Sequence, residues 1–159
     1  MAQSKIKLQH QFELVLVNVR SRFNVGAMFR TADAVGITKI HLCGYTPSPP
    51  HPKIDKVSLG AEKTVPFETH RTAVELLKNL QKQGYAVIAV EQSRGSIPYY
   101  RYSRPKKPIA IVMGSEVKGL SCSVLEYCDV SVEIPMHGKK ESLNVAIAFG
   151  IVAYRLAFP

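Results

Sequence analysis

Residues 134–150 read IPMHGKKESLNVAIAFG. The stretch leaves an apolar strand end at Ile134, Pro135 and Met136, crosses a polar turn and enters an almost wholly apolar helix. Ser142 and Asn144 stand at the mouth of that helix. Ser is a good N-cap, so Ser142 either simply caps the helix or serves a function there; capping uses one side chain, and Asn144 remains. Only Asn144 and Arg155 share a polar strip on the helix; Leu143, Val145, Ile147, Phe149, Ile151, Val152 and Leu156 surround it with apolar surface. A helix apolar all round has to be covered all round, and a second copy of the chain is one such cover.

Upstream, FELVLVNV (12–19) is a continuous apolar run and reads as a buried strand. Asn24 is a candidate N-cap for a helix over 25–35 that Gly36 closes. Strands are predicted at 38–44, 85–92, 109–114 and 130–136, with helices at 71–83, at 121–128 and from Ser142 to about Phe158. The 26 residues 45–70 are rich in Pro, lack a strong period and read as a long functional or mobile loop. Strands that are apolar on both faces and alternate with helices predict an α/β domain, a mostly parallel sheet with helices on both faces. With no repeat, linker or low-complexity segment, residues 1–159 are read as one domain, and residues 1–11 as a short N-terminal extension.

Neither GxGxxG after the first strand nor GxxxxGK[ST] occurs, which argues against an ordinary dinucleotide or P-loop enzyme. The Gly-containing turns MGSEVKGLS (113–121) and PMHGKKESLN (135–144) both follow late strands. Ligands of open α/β sheets bind beyond the carboxyl ends of strands, so the site is expected there.

Charge points to a polyanion. The formal net charge is +9, concentrated in residues 1–30 (five Lys/Arg, one acid) and 93–108 (five, none). Phosphate neutralisation favours such a distribution. RGSIPYYRYSRPKKP (94–108) interleaves Tyr99, Tyr100 and Tyr102 with Arg94, Arg101, Arg104, Lys106 and Lys107, a mixture suited to looped or single-stranded RNA or, equally, to tyrosines packed inward behind a solvated basic rim. Arg20, Arg22, Lys53, Lys56 and Lys63 are further candidates. Cys43, Cys122 and Cys128 form no CxxC, so reduced thiols and no metal are expected. No secretory leader or membrane-length apolar run is legible, and a cytoplasmic location is expected.

On a helical projection of 25–35, Val25, Met28, Phe29, Ala32 and Val35 form a core stripe. Arg30 falls away from it among Gly26, Ala27 and Ala34. It is either a solvated side chain paired with Asp33 or a functional guanidinium approached closely across small residues.

NVGAMFR (24–30), MGSEVKGLS (113–121) and IPMHGKKESLN (134–144), in this order and each at the end of an α/β unit, resemble the three motifs of the SpoU (TrmH-type) branch of the SPOUT RNA methyltransferases. SLGAEKTVPFE (58–68) resembles the family's loop after the second strand. The resemblance covers the chain from about residue 12 onward. It implies S-adenosylmethionine-dependent methylation of a ribose 2′-hydroxyl in structured RNA, a C-terminal trefoil knot, a homodimer and a minimal member without an added RNA-binding domain. It implies catalytic or orienting roles for Arg30, Asn24, Ser142, Asn144 and Glu116, and cofactor contacts from Val90, Gly114, Ile134, Met136, Ser142 and Leu143. A guanidinium stays protonated, so Arg30 is read as stabilising a developing alkoxide rather than as a simple base. Rival readings are a knotted methyltransferase acting on a base and a non-catalytic RNA-binding module.

Overall fold

The structure, a computed structural model, describes residues 10–159. Residues 1–9 of the expected N-terminal extension lie outside the described residues. Seven parallel strands form one sheet: β1 (Phe12–Val17), β2 (Lys39–Cys43), β3 (Phe67–His70), β4 (Ala86–Val90), β5 (Ile97–Pro98), β6 (Ile109–Met113) and β7 (Val130–Glu133). Their order is β3-β2-β1-β6-β4-β7-β5. The helices are α1 (Arg22–Val35), α2 (Pro52–Ser58), α3 (Ala61–Thr64), α4 (Ala73–Lys82), α5 (Cys122–Leu125) and α6 (Val145–Ala157).

Alternation along the strands splits the core into two layers. Phe12, Leu14 and Leu16 of β1 pack with Met28, Phe29 and Ala32 of α1 and with Phe149 and Val152 of α6. Val15 and Val17 face the other way, onto Leu76, Leu77 and Leu80 of α4. Each fully buried aliphatic or aromatic side chain contributes roughly 1.5–3 kcal/mol of transfer free energy, so these stripes anchor both helical layers. The stripe read for residues 25–35 is buried as expected, and Arg30 is exposed.

Several local expectations are corrected. Ser21, not Asn24, caps α1: its side chain accepts from the Asn24 backbone N–H, and Asn24 is itself buried in the first turn. Asn144, not Ser142, caps α6, accepting from the N–H groups of Ala146 and Ile147. Residues 45–70 are not a structureless loop but carry α2, α3 and β3. Pro52 starts α2, which then packs on α1. A Cβ on Gly26 would lie 2.6 Å from the Ile54 carbonyl oxygen, so the small residue there admits α2 of the same chain rather than an outside partner. β1 ends at Val17, where Asn18 turns with φ 55°. The strand expected at 130–136 stops at Glu133, leaving Ile134–Met136 free to line a cavity.

Candidate active site

Because every strand runs the same way, the loops after β4, β6 and β7 meet at one end of the sheet, next to the point where the chain order reverses between β1 and β6. They enclose a cavity of about 490 Å³. The six residues expected to hold a cofactor, Val90, Gly114, Ile134, Met136, Ser142 and Leu143, all line it. Glu116 and Asn144 line it as well, whereas Asn24 and Arg30 are not among the lining residues.

Three distant segments converge on the rim. Asn24 donates from Nδ2 to Glu116 Oε1 at 3.2 Å, and its Oδ1 accepts from Asn144 Nδ2 at 3.1 Å. The Glu116 carboxylate also accepts from the backbone N–H of Arg20 (3.1 Å) and Ser21 (3.0 Å). Partial burial raises the Glu116 pKa, but these backbone and Asn24 hydrogen bonds outweigh it and hold the carboxyl below its usual range. Glu116 thus ties the loop after β6 to the turn between β1 and α1, while Asn144 both caps α6 and touches α1. Ser142 stays exposed two residues ahead of the cap.

The cavity floor is tight. A Cβ on Gly114 would sit 2.5–2.7 Å from backbone atoms of Gly119 and Leu120. Glu91 Oε2 accepts from the Leu120 N–H at 2.8 Å and closes that loop, and Gln92 donates to the Glu141 carbonyl at 2.8 Å. Sequence reasoning passed over Glu91, Gln92, Glu133 and Lys118, all in the lining. Lys118 lies within the MGSEVKGLS turn; the advance signal for Glu91, Gln92 and Glu133 is position, just after or at the end of a strand that reaches the site. A second cavity of about 360 Å³ shares Ser115, Lys118 and Gly119 with the first and adds Tyr45 and Arg71.

Arg30 lies six residues along α1 from Asn24, about 9 Å down the helix axis from the rim. Asp33 accepts from Thr64 at 2.9 Å, and no ion pair with Arg30 occurs among the described residues. Phe23, Ala27, Arg30 and Ala34, spaced four, three and four, share one face of α1; Phe23 is 62% exposed. The adjoining α6 presents Ile147 (57% exposed), Ile151, Tyr154 and Phe158 at the same spacing. The helix expected to be apolar all round is therefore covered on one side only.

The expected RNA-contacting cations are not brought to one place. Arg20 and Arg22 flank the rim, with the Arg20 guanidinium 5.9 Å from the Tyr45 ring centroid. Lys53, Lys56 and Lys63 are exposed on α2 and α3. Lys106 and Lys107 immediately precede β6 and so stand at the opposite end of the sheet, about 16 Å from the cavity mouth at ~3.3 Å per residue. Arg101 is exposed in a 3-10 turn over Tyr99–Arg101 that packs beside α6. Arg104 is committed internally: it donates to the Leu156 carbonyl at 2.9 Å and lies 5.5 Å from the Phe12 ring centroid, and burial lowers its pKa.

Residues 11–154 match the SpoU rRNA Methylase family, and the chain belongs to that family. It is 33% identical over 138 residues to a tRNA (guanosine(18)-2′-O)-methyltransferase of Aquifex aeolicus, covering 86% of this chain and 64% of that protein. It is 34% identical over 139 residues to the 23S rRNA (guanosine-2′-O-)-methyltransferase RlmB of Neisseria meningitidis serogroup B, covering 87% and 55%. The chain thus spans between about half and two-thirds of the length of these relatives. Among solved structures, the AdoMet-bound rRNA methyltransferase from Sinorhizobium meliloti superposes with a TM-score of 0.85 at 30% identity, over 92% of this chain and 55% of that one. A structure described as giving insight into 2-OH methylation of C/U34 on tRNA superposes with a TM-score of 0.81 at 30% identity, covering 92% of this chain and 94% of the other.

Proposed function

We propose that the protein methylates a ribose 2′-hydroxyl in structured RNA, tRNA or rRNA, using S-adenosylmethionine. The observation that carries this reading is the Glu116–Asn24–Asn144 hydrogen-bond chain, which joins all three family motifs at the rim of one cavity. The lining fits the cofactor. Val90, Met113, Ile134, Met136 and Leu143 offer apolar surface for an adenosine, and Glu91, Glu116 and Glu133 outnumber Lys118, which suits a net cation. When bound, S-adenosylmethionine supplies an electrophilic methyl group on a sulfonium whose departure needs no acid.

The chain's own task is then alignment and charge. A ribose hydroxyl is a weak acid and has to lose its proton as it attacks. Asn24 and Asn144, fixed by each other and by Glu116, orient the ribose, and exposed Ser142 is free to bond the ligand or the nucleotide. Arg30 stabilises the developing alkoxide or holds the adjoining phosphate. It is not among the residues that line the cavity beside it, so we assign it to the site of a second copy. The composite face of Phe23, Ala27, Ala34, Ile147, Ile151 and Tyr154 around Arg30 supports a homodimer, since monomers rarely expose contiguous apolar surface of that extent. Arg20, Arg22, Arg71 and Lys118 around the two cavities are the nearest phosphate contacts, with Lys53, Lys56, Lys63 and Arg101 more distant ones. Arg104 is withdrawn from that set because its guanidinium is already engaged. The family reading carries with it a C-terminal trefoil knot. Among the described residues no helix is long and apolar enough to cross a membrane. On the proposed RNA substrate alone, we assign the protein to the cytoplasm.

The test is methyl transfer from radiolabelled S-adenosylmethionine to tRNA and rRNA, followed by digestion and nucleoside mass analysis. Label in 2′-O-methyl nucleosides is expected. Label on a base would establish the base-methylating alternative, and RNA binding without transfer or cofactor binding would establish a binding module.

A further inference from the structure

The β2–β3 edge of the sheet carries a polar cluster that methyl transfer does not use. β2 and β3 pair in parallel with His41 opposite Glu68 and Cys43 opposite His70. Residues two apart share a face, so His41, Glu68 and His70 converge on the α4 side. His41 is 3% exposed, yet both its ring nitrogens have partners. Its Nε2 lies 2.6 Å from Glu13 Oε2, and the other Glu13 oxygen accepts from the Tyr85 hydroxyl at 2.7 Å. His41 and Tyr85 together hold both Glu13 oxygens. With Glu13 bonded at Nε2, the Nδ1 lone pair is the one turned toward His70 and Glu68, the arrangement in which a second carboxylate orients a metal-binding histidine.

That lone pair meets two further donors. His41 Nδ1 lies 2.8 Å from His70 Nε2 and 3.9 Å from Glu68 Oε2, and the last two atoms are 3.7 Å apart. The point equidistant from all three is about 2 Å from each, within the ~2.0–2.2 Å range of zinc–nitrogen and zinc–carboxylate bonds. We propose that His41, Glu68 and His70 form a binding site for a divalent transition metal, best matched by Zn²⁺, that clips edge strand β3 to β2.

Two imidazoles and one carboxylate select a borderline metal over Mg²⁺ or Ca²⁺, which prefer all-oxygen sets. Without metal, His41 Nδ1 and His70 Nε2 share one hydrogen-bonding proton. Metal binding replaces that hydrogen bond, and the proton passes to the far nitrogen of His70 or to solvent. Lys39 stays on the other Glu68 oxygen, 3.0 Å away. Tetrahedral coordination opens the 2.8 Å nitrogen separation to about 3.3 Å, a small shift for a strand that has no neighbour on its outer side among the described residues. A water completes the shell on the solvent side, where Glu68 is exposed.

Metal-stripped protein is titrated with Zn²⁺ against a chromophoric chelator, and Co²⁺ is added separately for its visible d–d spectrum. One Zn²⁺ per chain, a raised melting temperature and a tetrahedral Co²⁺ band are expected. His70→Ala and Glu68→Gln are expected to weaken binding about tenfold or more and to abolish the band. Both side chains sit at the solvent edge, so these variants keep the fold, whereas removing His41 would orphan buried Glu13. Cys122→Ser, which removes an exposed thiol, is expected to change nothing. Affinity for S-adenosylhomocysteine is expected to be the same with and without Zn²⁺. Failure of the folded protein to bind Zn²⁺, or binding indifferent to His70→Ala and Glu68→Gln, overturns the proposal.

Discussion

Asn144 Nδ2 donates to Asn24 Oδ1 at 3.1 Å, across 120 positions of sequence, while Asn144 Oδ1 caps α6. One amide thus performs two tasks with its two ends. The two are separable. Asn144→Asp keeps an acceptor for the cap but has no N–H for Asn24, so near-native stability with strongly reduced methyl transfer is expected. Asn144→Ala loses both and is expected to be destabilised by about 1 kcal/mol. Thermal melts beside transfer rates check this; an active Asn144→Asp would show that the inter-asparagine bond is dispensable.

Glu116 gives a pH signature. Its folded-state pKa is depressed from the ordinary 4.5 by the Arg20, Ser21 and Asn24 donors despite burial. A depressed carboxylate contributes stability that is present above the unfolded-state pKa and disappears as pH falls through the lower folded-state value. Urea unfolding is expected to show wild type more stable than Glu116→Gln at neutral pH, with the difference shrinking below about 4.5. A gap independent of pH would mean that the charge is not what holds the turn.

Gly114→Ala places a methyl group against the backbone of Gly119 and Leu120, which cannot turn aside as a side chain can. Destabilisation of roughly 1–3 kcal/mol and a large loss of S-adenosylhomocysteine binding by calorimetry are expected. Gly138→Ala, where an added Cβ meets nothing within 4 Å, is the matched control and should be neutral.

The exposed face of α6 sets the assembly prediction. Ile147→Lys is expected to convert a dimer to a folded monomer in sedimentation and to abolish transfer while leaving cofactor affinity nearly unchanged. Arg30→Ala is expected to remain dimeric, bind cofactor and lose transfer. A wild-type protein that sediments as a monomer and is fully active would remove the role assigned to Arg30 in a second copy's site.

For RNA, the position of the cations matters more than their number. Replacing Arg20 and Arg22 by Ala is expected to lower the slope of log affinity against log salt by about 1.4–1.8, at ~0.7–0.9 per lost phosphate contact. The Lys106, Lys107 pair, at the far end of β6, is expected to change it less. The reverse ranking would put the RNA path along the bottom of the sheet.

The sequence by itself determined the elements whose evidence is local. β1, β4 and β6 are near-continuous apolar runs, β2 and β7 carry apolar residues at every second position, and α1 and α4 carry stripes at helical spacing, so each announces its own burial. The place of the cavity was legible for a related reason: in a parallel sheet the turns after late strands share one end. The particular residues Gly114, Glu116, Ile134, Met136 and Leu143 came from the family resemblance, not from that geometry. Tertiary structure decided whatever depends on a partner far along the chain. β3 and β5 are short edge strands with little apolar pattern, formed because β2 and β7 offer free backbone groups beside them. Ser21 caps in place of Asn24, and Asn144 in place of Ser142, because the asparagines are drawn together by Glu116 and by each other. The basic run of 101–107 looked like one surface, but the start of β6 carries Lys106 and Lys107 away from the site and folds Arg104 onto Phe12 and Leu156. Glu13, one charge in an apolar strand, is tolerable because His41 of β2 and the Tyr85 hydroxyl each bond one of its oxygens. A hydrogen bond between residues dozens of positions apart has no trace in the spacing of either segment, and it forms only once the sheet order is fixed.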